Sequence, residues 1–168
     1  MKKFFFNNIN EKVNKNFYRT ALSQFATGIT IITNLGDDKK FFGMTINSFN
    51  SVSLNPPLIL WSLGNLSRSL PSFKKNSYYV VNVLSSSQQH IADIFSSNKE
   101  NQFDGIDFEL SETGLPIILG CSAWFECHNK SAYPEGDHVI FVGEVKSFSY
   151  ESKPSLIFHQ SEYKLSDK

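Results

Sequence analysis

Gly43-Met44-Thr45-Ile46-Asn47-Ser48-Phe49-Asn50-Ser51-Val52-Ser53-Leu54-Asn55-Pro56-Pro57-Leu58-Ile59-Leu60-Trp61-Ser62-Leu63 is the stretch on which the fold turns. Its first third belongs to a strand over Phe41 to Phe49. Asn55-Pro56-Pro57 must be irregular, because two prolines remove two ladder donors. Leu58 to Leu63 then reads as a buried strand that Gly64-Asn65 ends. Just upstream, Ile29 to Thr33 is β-branched throughout, and Gly36-Asp37-Asp38-Lys39-Lys40 supplies the turn chemistry that pairs it with Phe41 to Phe49 as a hairpin.

Working outward, Phe17, Ala21, Leu22 and Phe25 recur at helical spacing with Gly28 as the stop, which predicts a first helix of about two turns. Residues 1 to 16 are rich in Asn and Lys and read as a loosely ordered leader; 17 to 168 read as one domain. Ser67 to Lys75 holds a short helix interrupted by Pro71, and Tyr78 to Leu84 is the next strand. Ser85-Ser86-Ser87 caps a second helix whose apolar face is Ile91, Ile94 and Phe95. Residues 98 to 116 carry charge, Gly and Pro and read as a long surface excursion. Cys121 to Asn129 and His138 to Ser149 are two long strands, and a short one follows around Leu156 to Phe158. Many strands with few helices and hairpin spacing predict a mainly β protein, a closed or partly closed barrel with helices packed outside.

Composition narrows the function classes. The 168 residues carry 16 Lys+Arg against 16 Asp+Glu, so no broad positive field exists for a nucleic-acid backbone or an anionic membrane. A chain of this length buries roughly 70% of its unfolded surface, enough for a core without disulfide or metal staples. Sixteen phenylalanines are expected to supply much of that core. Lys2-Lys3-Phe4-Phe5-Phe6 is cut short by Asn7, Asn8, Asn10 and Glu11, below the ~7 to 15 apolar residues of a signal-peptide core. Nothing approaches the ~20 apolar residues of a membrane span. Cys121 and Cys127 fall on one strand about 20 Å apart and cannot pair with each other. A reduced, cytoplasmic protein is the resulting expectation.

His90, His128, His138 and His159 are scattered, and neither cysteine has a CxxC neighbour, so no metal cluster is expected. Gly-x-Ser-x-Gly, Gly-x-Gly-x-x-Gly and the P-loop are all missing. Three polar segments stand out instead. In the first, Thr45 and Asn47 share one face of a strand and Ser48 points to the other; its plain alternative is a half-exposed strand entering a Ser/Asn turn. The second, Ser62-Leu63-Gly64-Asn65-Leu66-Ser67-Arg68-Ser69, gathers hydroxyls and one of only two arginines (Arg19 is the other) at a possible helix start. That set suits a phosphate; the alternative is an ordinary cap with a solvated Arg. The third, Gly136-Asp137-His138, sets a histidine at the first position of a strand, or merely turns a hairpin.

In register, these segments resemble the short-chain flavin reductases, the reductase components of two-component flavin-dependent monooxygenases. The resemblance runs from about Phe17 to Leu165. It includes Phe25-Ala26-Thr27-Gly28-Ile29-Thr30, Gly43 to Pro57, Ser67-Arg68-Ser69-Leu70, Val81-Asn82-Val83-Leu84, Gly136-Asp137-His138, Gly143-Glu144-Val145 and Leu156-Ile157-Phe158-His159. It implies a homodimeric split β-barrel with FMN or FAD, and NADH or NADPH as hydride source. By the same resemblance Thr45, Ile46, Asn47, Ser48, Ser51, Val52 and Ser53 lie along the flavin ring and ribityl chain. Ser62, Leu63, Ser67, Arg68 and Ser69 hold its phosphate, and His138 lies near the nicotinamide.

The expected function is therefore an NAD(P)H-dependent flavin reductase that supplies reduced flavin to a separate oxygenase. Hydride chemistry belongs to the cofactors, so the protein needs only to align them and requires no catalytic acid. The alternative is a protein of the same fold that holds flavin as an electron relay or sensor; a more remote one, a barrel that binds single-stranded nucleic acid, would need a basic groove that the composition does not favour.

Overall fold

The structure is a computed structural model that describes residues 15–36, 38–97 and 100–165. Most of the expected leader, residues 1–14, lies outside the described residues. The elements run α1 (Lys15–Leu22), β1 (Thr27–Gly28), β2 (Thr30–Leu35), β3 (Phe41–Ile46), β4 (Asn50–Leu54), β5 (Pro57–Gly64) and α2 (Leu70–Lys75). After these come β6 (Tyr78–Val83), a 3-10 turn (Ser86–Gln88), α3 (Gln89–Ser96), β7 (Phe108–Leu110), β8 (Pro116–Ile118), β9 (Ala123–Glu135), β10 (His138–Tyr150), β11 (Leu156–His159) and β12 (Glu162–Leu165).

Seven strands form the main sheet in the order β3-β2-β6-β9-β10-β5-β4, with each neighbouring pair antiparallel. Its ladders do not close: β3 and β4 are the two edges. Yet these edges are consecutive in the chain, joined through residues 47–49 alone. A span of four residues reaches at most about 14 Å. The sheet must therefore curl until its edges nearly meet. The expected mainly β architecture with peripheral helices is present, as a curled sheet without ladder closure.

Both faces of the sheet are covered, which explains why β2 is buried along almost its whole length. On one face Trp61 stacks on Phe141 with centroids 4.6 Å apart, while Phe73 and Tyr79 meet Trp61 edge-on. Each such pair contributes about 0.5–1.5 kcal/mol beyond its area. On the other face α3 lays Ile91, Ala92 and Phe95 against Ile31, Leu84 and Leu156. Gly43 makes that approach possible, since a Cβ there would stand 2.8 Å from the Phe95 ring. Only Phe73, Phe95 and Phe141 of the phenylalanines reach full burial among the described residues, so the core draws less on Phe than composition suggests. Phe17, Phe25 and Phe148 are exposed.

Several boundaries differ from the sequence reading. α1 ends at Leu22 and not near Gly28, because Gly28 is claimed by β1 in its pairing with β11. Pro71 starts α2 instead of interrupting it; at the first turn its missing N–H costs nothing. β9 and β10 run on to Glu135 and Tyr150, since each supplies the other's ladder where the polar sequence shows no alternation. The excursion over 98–116 holds β7, which pairs with β8 as a small hairpin. β12 is an element with no sequence signal strong enough to predict it.

Candidate functional site

The three polar segments meet at one end of β5. Ser48 sits in the β3–β4 connection, where its Oγ donates to the Ser62 carbonyl at 3.1 Å and accepts from the Ser62 N–H at 3.0 Å. This reciprocal pair fastens the first segment to the second. Gly64 pairs with His138 across the β5–β10 ladder, the Asn65 N–H donates to the Asp137 carbonyl and its side-chain amide donates to the Gly136 carbonyl. The third segment is thereby fastened to the second.

A cleft of about 750 Å³ opens beside this junction, between β3, the 66–72 segment and the end of α3. Of the expected residues, Thr45, Ser67, Arg68 and Ser69 line it. The Thr45 hydroxyl donates to the Ala92 carbonyl at 2.6 Å, which ties the cleft floor to α3. Ser67 Oγ accepts from the Ser69 N–H, and Ser69 stands at the N-cap of α2 without using its own hydroxyl to cap it. Arg68 is exposed, and among the described residues no carboxylate is paired with its guanidinium. A guanidinium without a carboxylate partner, flanked by serine hydroxyls on a concave wall, is the donor set that a phosphate requires. The residues present fit a phosphorylated ligand.

The remaining expected residues divide by burial. Asn47, Ser51 and Val52 are exposed on the connection and edge strand beside the cleft, and the Ser53 hydroxyl accepts from the Asn55 N–H. The Ile46 and Leu63 side chains belong to the aromatic core, so a ligand meets those positions through backbone alone. His138 is half-exposed, and its Nδ1 lies 2.6 Å from an Asp137 carboxylate oxygen. With Nδ1–H donating to that carboxylate, Nε2 lies over Gly64, 3.8 Å from where a Cβ would stand. His138 does not line the cleft itself.

Sequence reasoning missed Ser72, Ser96, Ser97 and Gln102, which share the cleft wall. Gln102 accepts from the Gly43 N–H and donates to the Ser97 carbonyl, bridging β3 to the end of α3. These residues come together only because α3 packs across β3, and no local pattern announces that. A further aromatic feature starts in the first segment: Phe49 stacks on Phe125 at 5.8 Å, and Phe125 on exposed Phe148 at 6.2 Å. Both cysteines are free and buried, and burial pushes each thiol up to about 12, so neither is a nucleophile at neutral pH. Among the described residues no group of three or more His, Cys, Asp or Glu could hold a metal ion, and no helix is long and apolar enough to cross a membrane.

The family model of the flavin reductase like domain matches residues 22–165. The chain belongs to the flavin reductase-like family. It is 36% identical over 156 residues to a flavin reductase of Pseudomonas putida, covering 92% of both chains. It is 37% identical over 150 residues to the reductase subunit HsaB of a flavin-dependent monooxygenase from Mycobacterium tuberculosis, covering 87% of this chain and 79% of that one. Among solved structures, the NADH:FAD oxidoreductase of Streptomyces globisporus, in complex with NAD and FAD fragments, superposes with a TM-score of 0.86 at 33% identity over 90% of this chain and 92% of that one. Other flavin reductase-like relatives are longer, and the chain spans about half of their length. Membership in this family supports oxidoreductase activity of the flavin-reducing kind, and relatives such as HsaB are reductase subunits of flavin-dependent monooxygenases.

Proposed function

We propose that the protein transfers hydride from NADH or NADPH to FMN or FAD and supplies the reduced flavin to a separate oxygenase. The observation that carries this reading is the cleft in which Arg68, without a carboxylate partner among the described residues, shares a wall with Ser67, Ser69 and Thr45. When bound, flavin supplies the acceptor for hydride, and the protein's task is alignment and exclusion of competing geometry.

In this reading Arg68 forms charge-assisted bonds to the flavin phosphate, with Ser67 and Ser69 completing its shell. The Thr45–Ser53 stretch lies along the ring and ribityl chain, held in place by the Ser48–Ser62 bonds. His138, oriented by Asp137, positions the nicotinamide and is not required as a proton donor. The curled sheet is read as a split β-barrel and the molecule as a cytoplasmic homodimer. Support for the dimer comes from exposed Leu54, Phe148 and Tyr150, of which Leu54 is 94% exposed.

The test is to mix the purified protein with NADH and FMN or FAD and follow the nicotinamide band at about 340 nm. Multiple turnovers are expected; flavin binding without NADH or NADPH consumption would favour the relay or sensor alternative. Arg68→Ala is expected to weaken FMN binding roughly 10- to 100-fold, the loss of one charge-assisted bond of about 1.5–3 kcal/mol. Riboflavin, which has no phosphate, is expected to bind the parent and the variant alike. Equal loss for both flavins would remove Arg68 from the phosphate site.

A further inference from the structure

β3 is an edge of the main sheet, so one row of its backbone groups faces away from β2. The Gly36 N–H donates to the Lys40 carbonyl at the turn, and alternation along an antiparallel ladder then turns the N–H groups of Gly43 and Thr45 outward. Gln102 Oε1 accepts the first of these at 3.3 Å. Its amide nitrogen donates at 3.2 Å to the carbonyl of Ser97, the C-cap of α3. One side chain therefore joins a free sheet edge to a helix end, two of the walls between which the cleft opens.

Position 102 is itself held from behind. Phe103 meets Phe95 of α3 at 5.1 Å, Phe108 of β7 at 5.2 Å and Phe41 of β3 at 6.0 Å, each pair edge-to-face. Its carbonyl accepts from the N–H of Ile106, whose side chain is buried. The face of β3 carries α3, through the Phe95 ring over Gly43 and the Thr45 hydroxyl on the Ala92 carbonyl. Those contacts resist movement perpendicular to the sheet. Gln102 supplies the restraint within its plane, where an edge strand has no neighbouring ladder to fix it.

We infer that Gln102 is a positioning residue for flavin: it acts through Gly43–Thr45, holding the free edge of β3 at the distance from α3 that the bound ring requires. Resting on the flavin reading of the main cleft, this role deepens it. The restraint bears on the strand and not on a phosphate, so its loss is felt by every flavin alike, in contrast to the loss of Arg68.

Two variants test this, with binding read from quenching of flavin fluorescence. Gln102→Ala removes both bonds and is expected to weaken FMN and riboflavin by the same factor, roughly three- to tenfold, the worth of a neutral hydrogen bond. In turnover with NADH the KM for flavin is expected to rise by that factor, with kcat within about twofold of the parent and the urea midpoint unchanged. Gln102→Glu keeps an acceptor for the Gly43 N–H and is expected to bind riboflavin more tightly than the Ala variant. Loss of FMN affinity with riboflavin spared would place Gln102 on the phosphate and overturn the inference. A lowered urea midpoint with unchanged flavin affinity would make it a structural brace only, and a Glu variant no better than Ala would show that the bond to β3 is not the one that matters; either result overturns the inference and leaves the flavin reading intact. Binding of neither flavin by the parent would overturn the reading of the main cleft itself.

Discussion

Glu126 and Cys127 are neighbours on β9, and because successive strand residues face opposite sides, they show how differently the two sides of the sheet treat buried polar atoms. Glu126 is 2% exposed. One of its oxygens accepts from the Ser111 hydroxyl, the Thr113 hydroxyl and the Thr113 N–H, and the other accepts from the Ser147 hydroxyl at 3.0 Å. Ser111 and Thr113 lie in the turn between β7 and β8, so this carboxylate pins the small hairpin to β9 and β10. Cys127 faces the aromatic core instead. There Tyr79 Oη and Trp61 Nε1 are buried with no hydrogen-bond partner among the described residues. A charge is tolerated on the first side because its lone pairs are used; on the second side Trp61 and Tyr79 are held chiefly by packing.

The largest effect is expected from breaking the polar side. Glu126→Ala leaves the Ser111, Thr113 and Ser147 donors without their acceptor and is expected to cost about 3 kcal/mol, read as a lower urea midpoint. Amide exchange over Phe108–Ile118 is expected to rise more than in β2 or β6. A loss confined to the global midpoint, with the hairpin no more labile than the core, would show that Glu126 is not its anchor.

Overpacking the aromatic side comes next. A Cβ at Gly143 would fall 2.1 Å from Tyr79 Oη, 3.0 Å from its Cζ and 3.1 Å from the Cys127 Cβ. Gly143→Ala is therefore expected to cost about 2 kcal/mol. Part of that cost should return in the double variant with Tyr79→Phe, since removing the hydroxyl relieves the shortest contact. Strict additivity of the two changes would mean that the strain lies elsewhere.

Acid should separate the two sides more gently. Burial, the largest influence, raises the Glu126 pKa, but the hydrogen bonds from Ser111, Thr113 and Ser147 together outweigh it and hold the carboxyl below its ordinary value of 4.5. A group with a depressed folded-state pKa contributes stability that is present above 4.5 and is lost as pH falls through the lower value. In Glu126→Gln that part of the acid dependence should disappear, so parent and variant curves should converge below pH 4.5. Parallel curves across that range would contradict the sign.

The smallest effect is expected at Tyr79 alone. Burial raises its hydroxyl pKa against a smaller lowering by the Trp61 side chain, and the hydroxyl makes no hydrogen bond of good geometry among the described residues. Tyr79→Phe is expected to change stability by less than about 1 kcal/mol, in either direction. A loss comparable to that of Glu126→Ala would reveal a hydrogen bond on the aromatic side and erase the contrast.

The order in which the molecule became legible follows from these physical differences. The β2–β3 hairpin was readable because β-branched residues flank a Gly-Asp turn, and the two share a ladder from Thr30↔Ile46 to Leu35↔Phe41. The Ser85 cap was readable too, although its capping box with Gln88 opens a 3-10 turn before α3 begins. The three segments stood out as polar residues at strand exits. Glu126 did not, because one carboxylate in the run Trp124-Phe125-Glu126-Cys127 carries no mark of the three hydroxyl residues that fold over it.

What the sequence by itself determined was local: which segments are strands, where prolines and glycines stop them, and that Arg68 stands among serines. These properties depend on residues a few positions apart, within reach of propensity and periodicity. Tertiary structure alone decided that Ser48 grips Ser62, that His138 lies over Gly64, and that α3 crosses Gly43 to bring Ser97 and Gln102 to the cleft. Each of these joins residues separated by many positions, and their meeting is set by the curl of the whole sheet, which no short stretch of chain encodes.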